Sequence, residues 1–312
     1  MRPAADNGPP LIGIFGPTAI GKTGVSLELA DLLRDLGEDP VAINCDSIQV
    51  YEGLEVISGA ASARDRARLE HRLLSFVPVS EEFSAGRFGQ AAHREIDSAL
   101  EAGRRPIVVG GTGLYLRAAL TDLEMLPPVD PDLRREVEAE VERRGPGAMH
   151  AELPDELSGR VHPNDRKRIA RLTELIRSGI DPHPDHEGGG ELWTASLRQP
   201  ALLAGLVEDD ESLVERIRAR VESMARAGAG AEADRALEAG AVRTVRAAIG
   251  FEEFRTGDLE RVVTLHRRYG RRQMTWMRRM EGVEVIDRSG LGDHEVAARI
   301  LELAEQVPSR VA

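Results

Sequence analysis

Gly16-Pro17-Thr18-Ala19-Ile20-Gly21-Lys22-Thr23 follows the apolar run Leu11 to Phe15 and precedes a segment in which Leu27, Leu29, Ala30, Leu32 and Leu33 recur at helical spacing. The eight residues fill every fixed position of G-x-x-x-x-G-K-[ST], between a strand and a helix, which is the pattern of a phosphate-binding loop. Its glycines let the backbone curl so that several N–H groups face one anion, and the helix that follows adds the positive end of its dipole. Lys22 contributes a compact charge. It is one of two lysines, with Lys167, among 41 basic residues, so lysine is kept here in a chain that otherwise uses arginine. Gly16, Thr18, Ala19, Gly21, Lys22 and Thr23 are therefore expected to hold a phosphate or diphosphate. The Thr23 hydroxyl is suited to a Mg²⁺ ion bound with it.

Working outward, short apolar runs alternate with helical patterns through about residue 120, which implies an α/β fold with a mostly parallel sheet. Val41 to Cys45 is a second expected strand, ending at Asp46. Pro106 to Val109 is a third, ending in Gly110-Gly111-Thr112-Gly113. Leu192 to Leu197 and Val283 to Asp287 are expected to complete the sheet. Helices are expected at Ala91 to Ala102, Ser212 to Ala227, Ala231 to Ala239, Asp258 to Met280 and His294 to Glu305. From Pro127 to Gly190 the pattern is charged helices broken by proline and glycine, without a strand. The expected organisation is a P-loop NTPase-like core over 10–121, a helical insertion over 122–191, and completion of the core over 192–312. Ligands of open α/β sheets sit outside the carboxyl ends of the strands. Asp46, as a proton acceptor or water-mediated metal ligand, and Thr112, as a hydrogen-bond donor to phosphate, therefore join Lys22 as site candidates.

A single cysteine, Cys45, excludes an intramolecular disulfide framework and a multi-cysteine zinc site; within an apolar strand it reads as core. No apolar run approaches the about 20 residues of a membrane span, and the polar Met1 to Pro10 stretch has no signal-peptide pattern, so a cytoplasmic protein is expected; a monomer is favoured, with the oligomeric state open. The net charge of −12 argues against a nucleic-acid partner only as a sum. Two arginine-rich stretches oppose it: Arg160, Arg166, Lys167, Arg168 and Arg171 in one, and Arg267, Arg268, Arg271, Arg272, Arg278 and Arg279 around Gln273 and Trp276 in the other. Helical spacing puts Arg268, Arg271, Arg272 and Arg279 near one face, and segregated basic surface on an acidic chain points to phosphate binding. Tyr51 and Tyr115 fit either base stacking or core packing. His183, Asp185, His186 and Glu187 have ligand chemistry but lie in a Gly/Pro-rich segment without regular structure, so a metal site there is not expected.

GPTAIGKT at 16–23, DSIQVY at 46–51, HRLL at 71–74, PIVVGGTGLYLRA at 106–118, HPNDRKRIAR at 162–171 and RRQMTWMR at 271–278 together resemble the tRNA dimethylallyltransferase (tRNA isopentenyltransferase) family in its bacterial form, in the same order and with similar spacing. The resemblance implies transfer of a dimethylallyl group from dimethylallyl diphosphate to N6 of the adenosine immediately 3′ of the tRNA anticodon, with Mg²⁺ as cofactor. It implies that Lys22 and Thr23 neutralise the leaving diphosphate, and that Thr112 and Arg216 (in Leu213-Val214-Glu215-Arg216-Ile217) also contact it. Asp46 would accept the proton of the adenine amine. The insertion would grip the anticodon stem-loop through Lys167, Arg168 and Arg171, and Ser47, Gln49, Arg271, Arg272 and Gln273 would also meet the tRNA. One departure is that Ile57 to Ala61 read ISGAA where the family has a GTAKP-like stretch. The residues alone also suit a P-loop kinase of a small metabolite, or an adenylate isopentenyltransferase acting on free nucleotide; the second would not need HPNDRKRIAR.

Overall fold

Four runs, Leu11–Phe15 (β1), Pro40–Asn44 (β2), Arg105–Gly110 (β4) and Ala201–Val207 (β5), are apolar almost throughout, as strands covered on both faces must be. In the computed structural model, which describes residues 9–123, 126–182 and 196–307, they form the middle of a six-stranded sheet. His71–Arg72 (β3) and Val283–Asp287 (β6) are its edges, the order is β3-β2-β4-β1-β5-β6, and every pairing is parallel. The register pairs Phe15 with both Gly110 and Gly205, and Asn44 with Val109, so the carboxyl ends of β1, β2, β4 and β5 reach one level. β1 lies where the chain's crossovers turn from one side of the sheet to the other, and a ligand crevice belongs at that point.

Helices Lys22–Asp35 (α1) and Asp293–Glu305 (α15) cover one face, where Val25, Leu29, Leu33, Val296 and Ile300 pack on Ile12, Ile14 and Ile107. After β2 come the short helices Glu55–Ser58 (α2) and Ala63–Arg68 (α3), then Ala85–Glu101 (α4) and, beyond β4, Gly113–Leu120 (α5). On the opposite face Leu120 of α5 lies over Gly13, and Phe88 of α4 stacks on Tyr115 of α5 at 4.0 Å. Tyr115 is therefore core, as is Tyr51, which is 1% exposed and accepts the Phe83 N–H.

By chain contacts the protein divides into two compact units, Met1–Asp122 with Thr194–Ala312, and Leu123–Trp193. The smaller contains Pro131–Arg144 (α6), Pro146–His150 (α7), Asp155–Ser158 (α8) and Arg166–Arg177 (α9), around Val137, Val141, Met149, Val161, Ile169 and Leu172. Asp165 caps α9 by accepting the Arg168 N–H at 3.1 Å, which explains the aspartate before the basic run. In the larger unit β5 leads into Asp210–Arg226 (α10), Ala229–Glu238 (α11), Arg243–Arg246 (α12), Phe251–Thr256 (α13) and Leu259–Arg279 (α14).

The returning strand corrects one expectation. It is Ala201–Val207, not Leu192 to Leu197, of which 192–195 lie outside the described residues. The run at 201–207 is the more uniformly apolar, and its place between β1 and β6 buries it on both sides. The two-residue edge strand β3 carries too little pattern to be seen in the sequence.

Candidate active site

The phosphate loop leaves β1 and curls back before α1. Gly21, the residue before the helix, has φ 91°, which a side chain would strain, and Ala19 adopts the same left-handed region at φ 66°. Lys22 folds over the loop and donates to the carbonyls of Gly16 and Pro17, both at 2.9 Å. Burial and the nearby Arg220 guanidinium lower the Lys22 pKa to about 8, with Asp46 and Cys45 opposing the shift. The ammonium is thus present below about pH 8 and lost above it. Affinity for inorganic diphosphate is expected to weaken several-fold from about pH 7 to about pH 9, although the ligand itself gains negative charge over that range. Calorimetric titration across that range checks this, and a flat profile contradicts it.

Asp46 stands just past β2. Asn44, 2% exposed, holds the turn: its Oδ1 accepts the Asp46 N–H at 3.2 Å and its Nδ2 donates to the Leu73 carbonyl at 2.9 Å. The Ile48 N–H donates to Asp46 Oδ1 at 3.0 Å. Asp46 lies close enough to Lys22 and Arg220 for its charge to favour both cations. Thr112 begins α5 and ties this turn to the next: its hydroxyl accepts the Ser47 N–H at 3.1 Å and donates to Ser47 Oγ at 3.3 Å. Cys45 is buried between these groups, and burial pushes its thiol pKa up, which keeps it protonated.

Of the two arginines one turn apart on α10, the family resemblance implied Arg216, whereas Arg220 is the one whose charge bears on Lys22 and Asp46. Arg216 Nε pairs with Glu208, a carboxylate 3% exposed, at 3.0 Å. Arg220 bears on the charge of Lys22 and interacts with that of Asp46, and its Nη2 donates to the Ser58 carbonyl at 3.2 Å. The same α2 segment receives the Gln49 amide, at 3.3 Å to Ser58 O and 3.4 Å to Gly59 O. It is fixed from behind by Glu232, which accepts the Val56 and Ile57 N–H groups at 2.9 and 2.7 Å. The ISGAA stretch thus serves as a backbone ledge that holds Gln49 and Arg220.

Gln273 also departs from expectation. It is 3% exposed, and its amide joins Thr18 of the phosphate loop to Gly111, so it does not face RNA. Arg271 and Arg272 beside it are exposed, Arg272 lying 5.5 Å from the centre of the Tyr269 ring. His266, on the buried face of α14, has Nδ1 3.4 Å from Thr18 Oγ1; burial and Arg220 lower its pKa to about 4, so it is neutral near pH 7. In the smaller unit Lys167 and Arg168 are exposed, while half-buried Arg171 donates to the Leu126 and Pro127 carbonyls at 3.3 and 2.7 Å. Gly16, Thr18, Ala19, Gly21, Lys22, Thr23, Asp46, Ser47 and Thr112 all lie at the carboxyl ends of β1, β2 and β4.

Among the described residues there is no cluster of three or more His, Cys, Asp or Glu able to hold a metal ion, and no helix long and apolar enough to cross a membrane. His183, Asp185, His186 and Glu187 lie outside the described residues.

Compared with known proteins, residues 49–280 match the family model described as IPP transferase. The chain belongs to the IPP transferase family. A member from Anaeromyxobacter dehalogenans, named tRNA dimethylallyltransferase, is 39% identical over 291 residues, covering 88% of this chain and 93% of the relative. The crystal structure of the tRNA isopentenylpyrophosphate transferase from Bacillus halodurans superposes with a TM-score of 0.67 at 28% identity, covering 95% of this chain and 97% of that one. A eukaryotic dimethylallyltransferase acting on tRNA shares the fold, with a TM-score of 0.75 at 23% identity, covering 97% of this chain and 81% of that one.

Proposed function

We propose that this protein transfers the dimethylallyl group of dimethylallyl diphosphate to N6 of the adenosine immediately 3′ of the anticodon in tRNA. The observation that carries the reading is the meeting of Lys22, Arg220, Asp46 and Thr112 around one crevice, in a chain of this family.

The diphosphate lies in the curl of residues 16–23, with Lys22 and Arg220 beside it and the Thr112 hydroxyl turned from Ser47 Oγ to donate to its oxygens. As the allylic C1–O bond breaks, its electron pair goes to the diphosphate, and these cations and the N-terminus of α1 stabilise that charge. The amine lone pair forms the new N6–C1 bond. An adenine amine is a weak nucleophile because its lone pair is delocalised into the ring, so orientation and a proton acceptor both matter. With Asp46 Oδ1 engaged by Ile48 N–H, the other oxygen accepts the N6 proton. The products are N6-isopentenyladenosine and diphosphate. The donors suit a Mg²⁺ ion that arrives with the diphosphate: one threonine hydroxyl, Thr23, and the phosphate oxygens, without a carboxylate cluster among the described residues. When bound, that ion would neutralise part of the leaving group's charge.

The adenine has to leave its stack to reach Asp46. We assign grip on the anticodon stem-loop to the helical unit, through exposed Lys167 and Arg168, and to Arg271 and Arg272 of α14; Arg171 and Gln273 have internal roles. A tRNA substrate supports a cytoplasmic location. The test is incubation with dimethylallyl diphosphate and unmodified tRNA, followed by mass spectrometry of the nucleosides. One prenyl group per acceptor adenosine is the expected product; phosphoryl transfer from ATP without prenylation would favour a kinase.

A further inference from the structure

One face of α14 binds both glycine turns that frame the cradle. Gln273 Oε1 accepts the Thr18 N–H at 2.9 Å, and its Nε2 donates to the Gly111 carbonyl at 2.7 Å. The two partners dictate the amide's orientation, because a backbone N–H only donates and a carbonyl only accepts. Gly111 makes the approach possible: a Cβ there would stand 2.3 Å from Gln273 Nε2. It would also stand 3.5 Å from Lys22 Nζ, so this turn lies directly against the lysine. His266 and Tyr269, seven and four residues before Gln273, reinforce the same two anchors. His266 approaches the Thr18 hydroxyl at 3.4 Å, and the Tyr269 hydroxyl donates to Gly111 O at 3.4 Å.

A planar amide has a fixed distance between its donor and acceptor, so a side chain bonded at both ends acts as a spacer. We propose that Gln273 is a positioning residue: its amide fixes the separation between the phosphate loop and the turn carrying Thr112, and thereby holds Lys22 and Thr112 at the spacing the departing diphosphate requires. This rests on the function proposed above. Gln273 touches no reacting atom in this arrangement. Its effect falls on the step in which charge moves onto the diphosphate, where a misplacement of about 1 Å costs on the order of 10²-fold.

The test compares Gln273→Glu with Gln273→Met. An ionised glutamate keeps the size and accepts from Thr18 N–H, but it cannot donate to Gly111. Methionine keeps the length and offers neither bond. A spacer needs both ends, so both variants are expected to lower kcat by about 10- to 100-fold, with KM for dimethylallyl diphosphate and Kd for tRNA within about 3-fold of wild type. A packing role would spare the methionine variant, which fills the same space without a buried charge, so near-wild-type kcat in Gln273→Met overturns the proposal. A rise in KM at unchanged kcat also overturns it. Gly111→Ala keeps Gln273 but drives a methyl into its amide. The same kcat loss is expected there, and wild-type kcat in that variant counts against the proposal even if neither Gln273 variant folds. Wild-type protein that transfers no prenyl group would instead overturn the function itself.

Discussion

Asp46→Asn is expected to slow prenyl transfer by about 10²-fold or more while tRNA affinity stays within about 3-fold of wild type. Asparagine matches aspartate in shape and can still accept the Ile48 N–H that aligns the turn, so the local fold survives. What disappears is the negative charge. Without it the side chain cannot take the N6 proton, and Lys22 loses the carboxylate that favours its ammonium form. Both losses act when charge develops, so kcat carries the effect. Single-turnover transfer with saturating tRNA measures it directly; an equal fall in affinity and rate would make Asp46 a binding residue.

The second large effect separates two neighbours on α10. Arg220→Gln is expected to reduce transfer by about 10²- to 10³-fold, as removal of a positioned cation from a developing anion does. Arg216→Gln is expected to cost less than about 10-fold, because that guanidinium is committed to Glu208. The replacement at 220 also removes the contact with the Ser58 carbonyl, so its melting temperature is measured alongside. Comparable losses at both positions would place both arginines at the diphosphate.

The contrast between these arginines shows where sequence reading stops. The phosphate loop was legible because its geometry is local: glycines, a lysine and a helix start lie within eight residues. Asp46 and Thr112 were chosen from the rule that strand ends converge, and the register of β1, β2 and β4 brings those ends to one level. Arg216 and Arg220 are four residues apart on one helix, so periodicity cannot choose between them. The choice is made by Glu208, a buried acid just past β5, whose position depends on the whole sheet. Gln273 failed for a related reason. A glutamine among six arginines reads as part of a polar face, yet it sits in register with Val262, His266, Gly270 and Met277 on the buried side of α14. The Glu232 carboxylate that steadies α2 lies about 175 residues away in sequence from the N–H groups it accepts, beyond any local pattern.

The most direct measurement is a crystal structure with the non-hydrolysable thio-analogue of dimethylallyl diphosphate and an anticodon stem-loop. The two phosphate groups are expected within the loop of residues 16–23, against Lys22 and Arg220, with the N6 amine of a flipped adenine in hydrogen-bond contact with Asp46. An anion seated away from Lys22, or an adenine amine remote from Asp46, would contradict this.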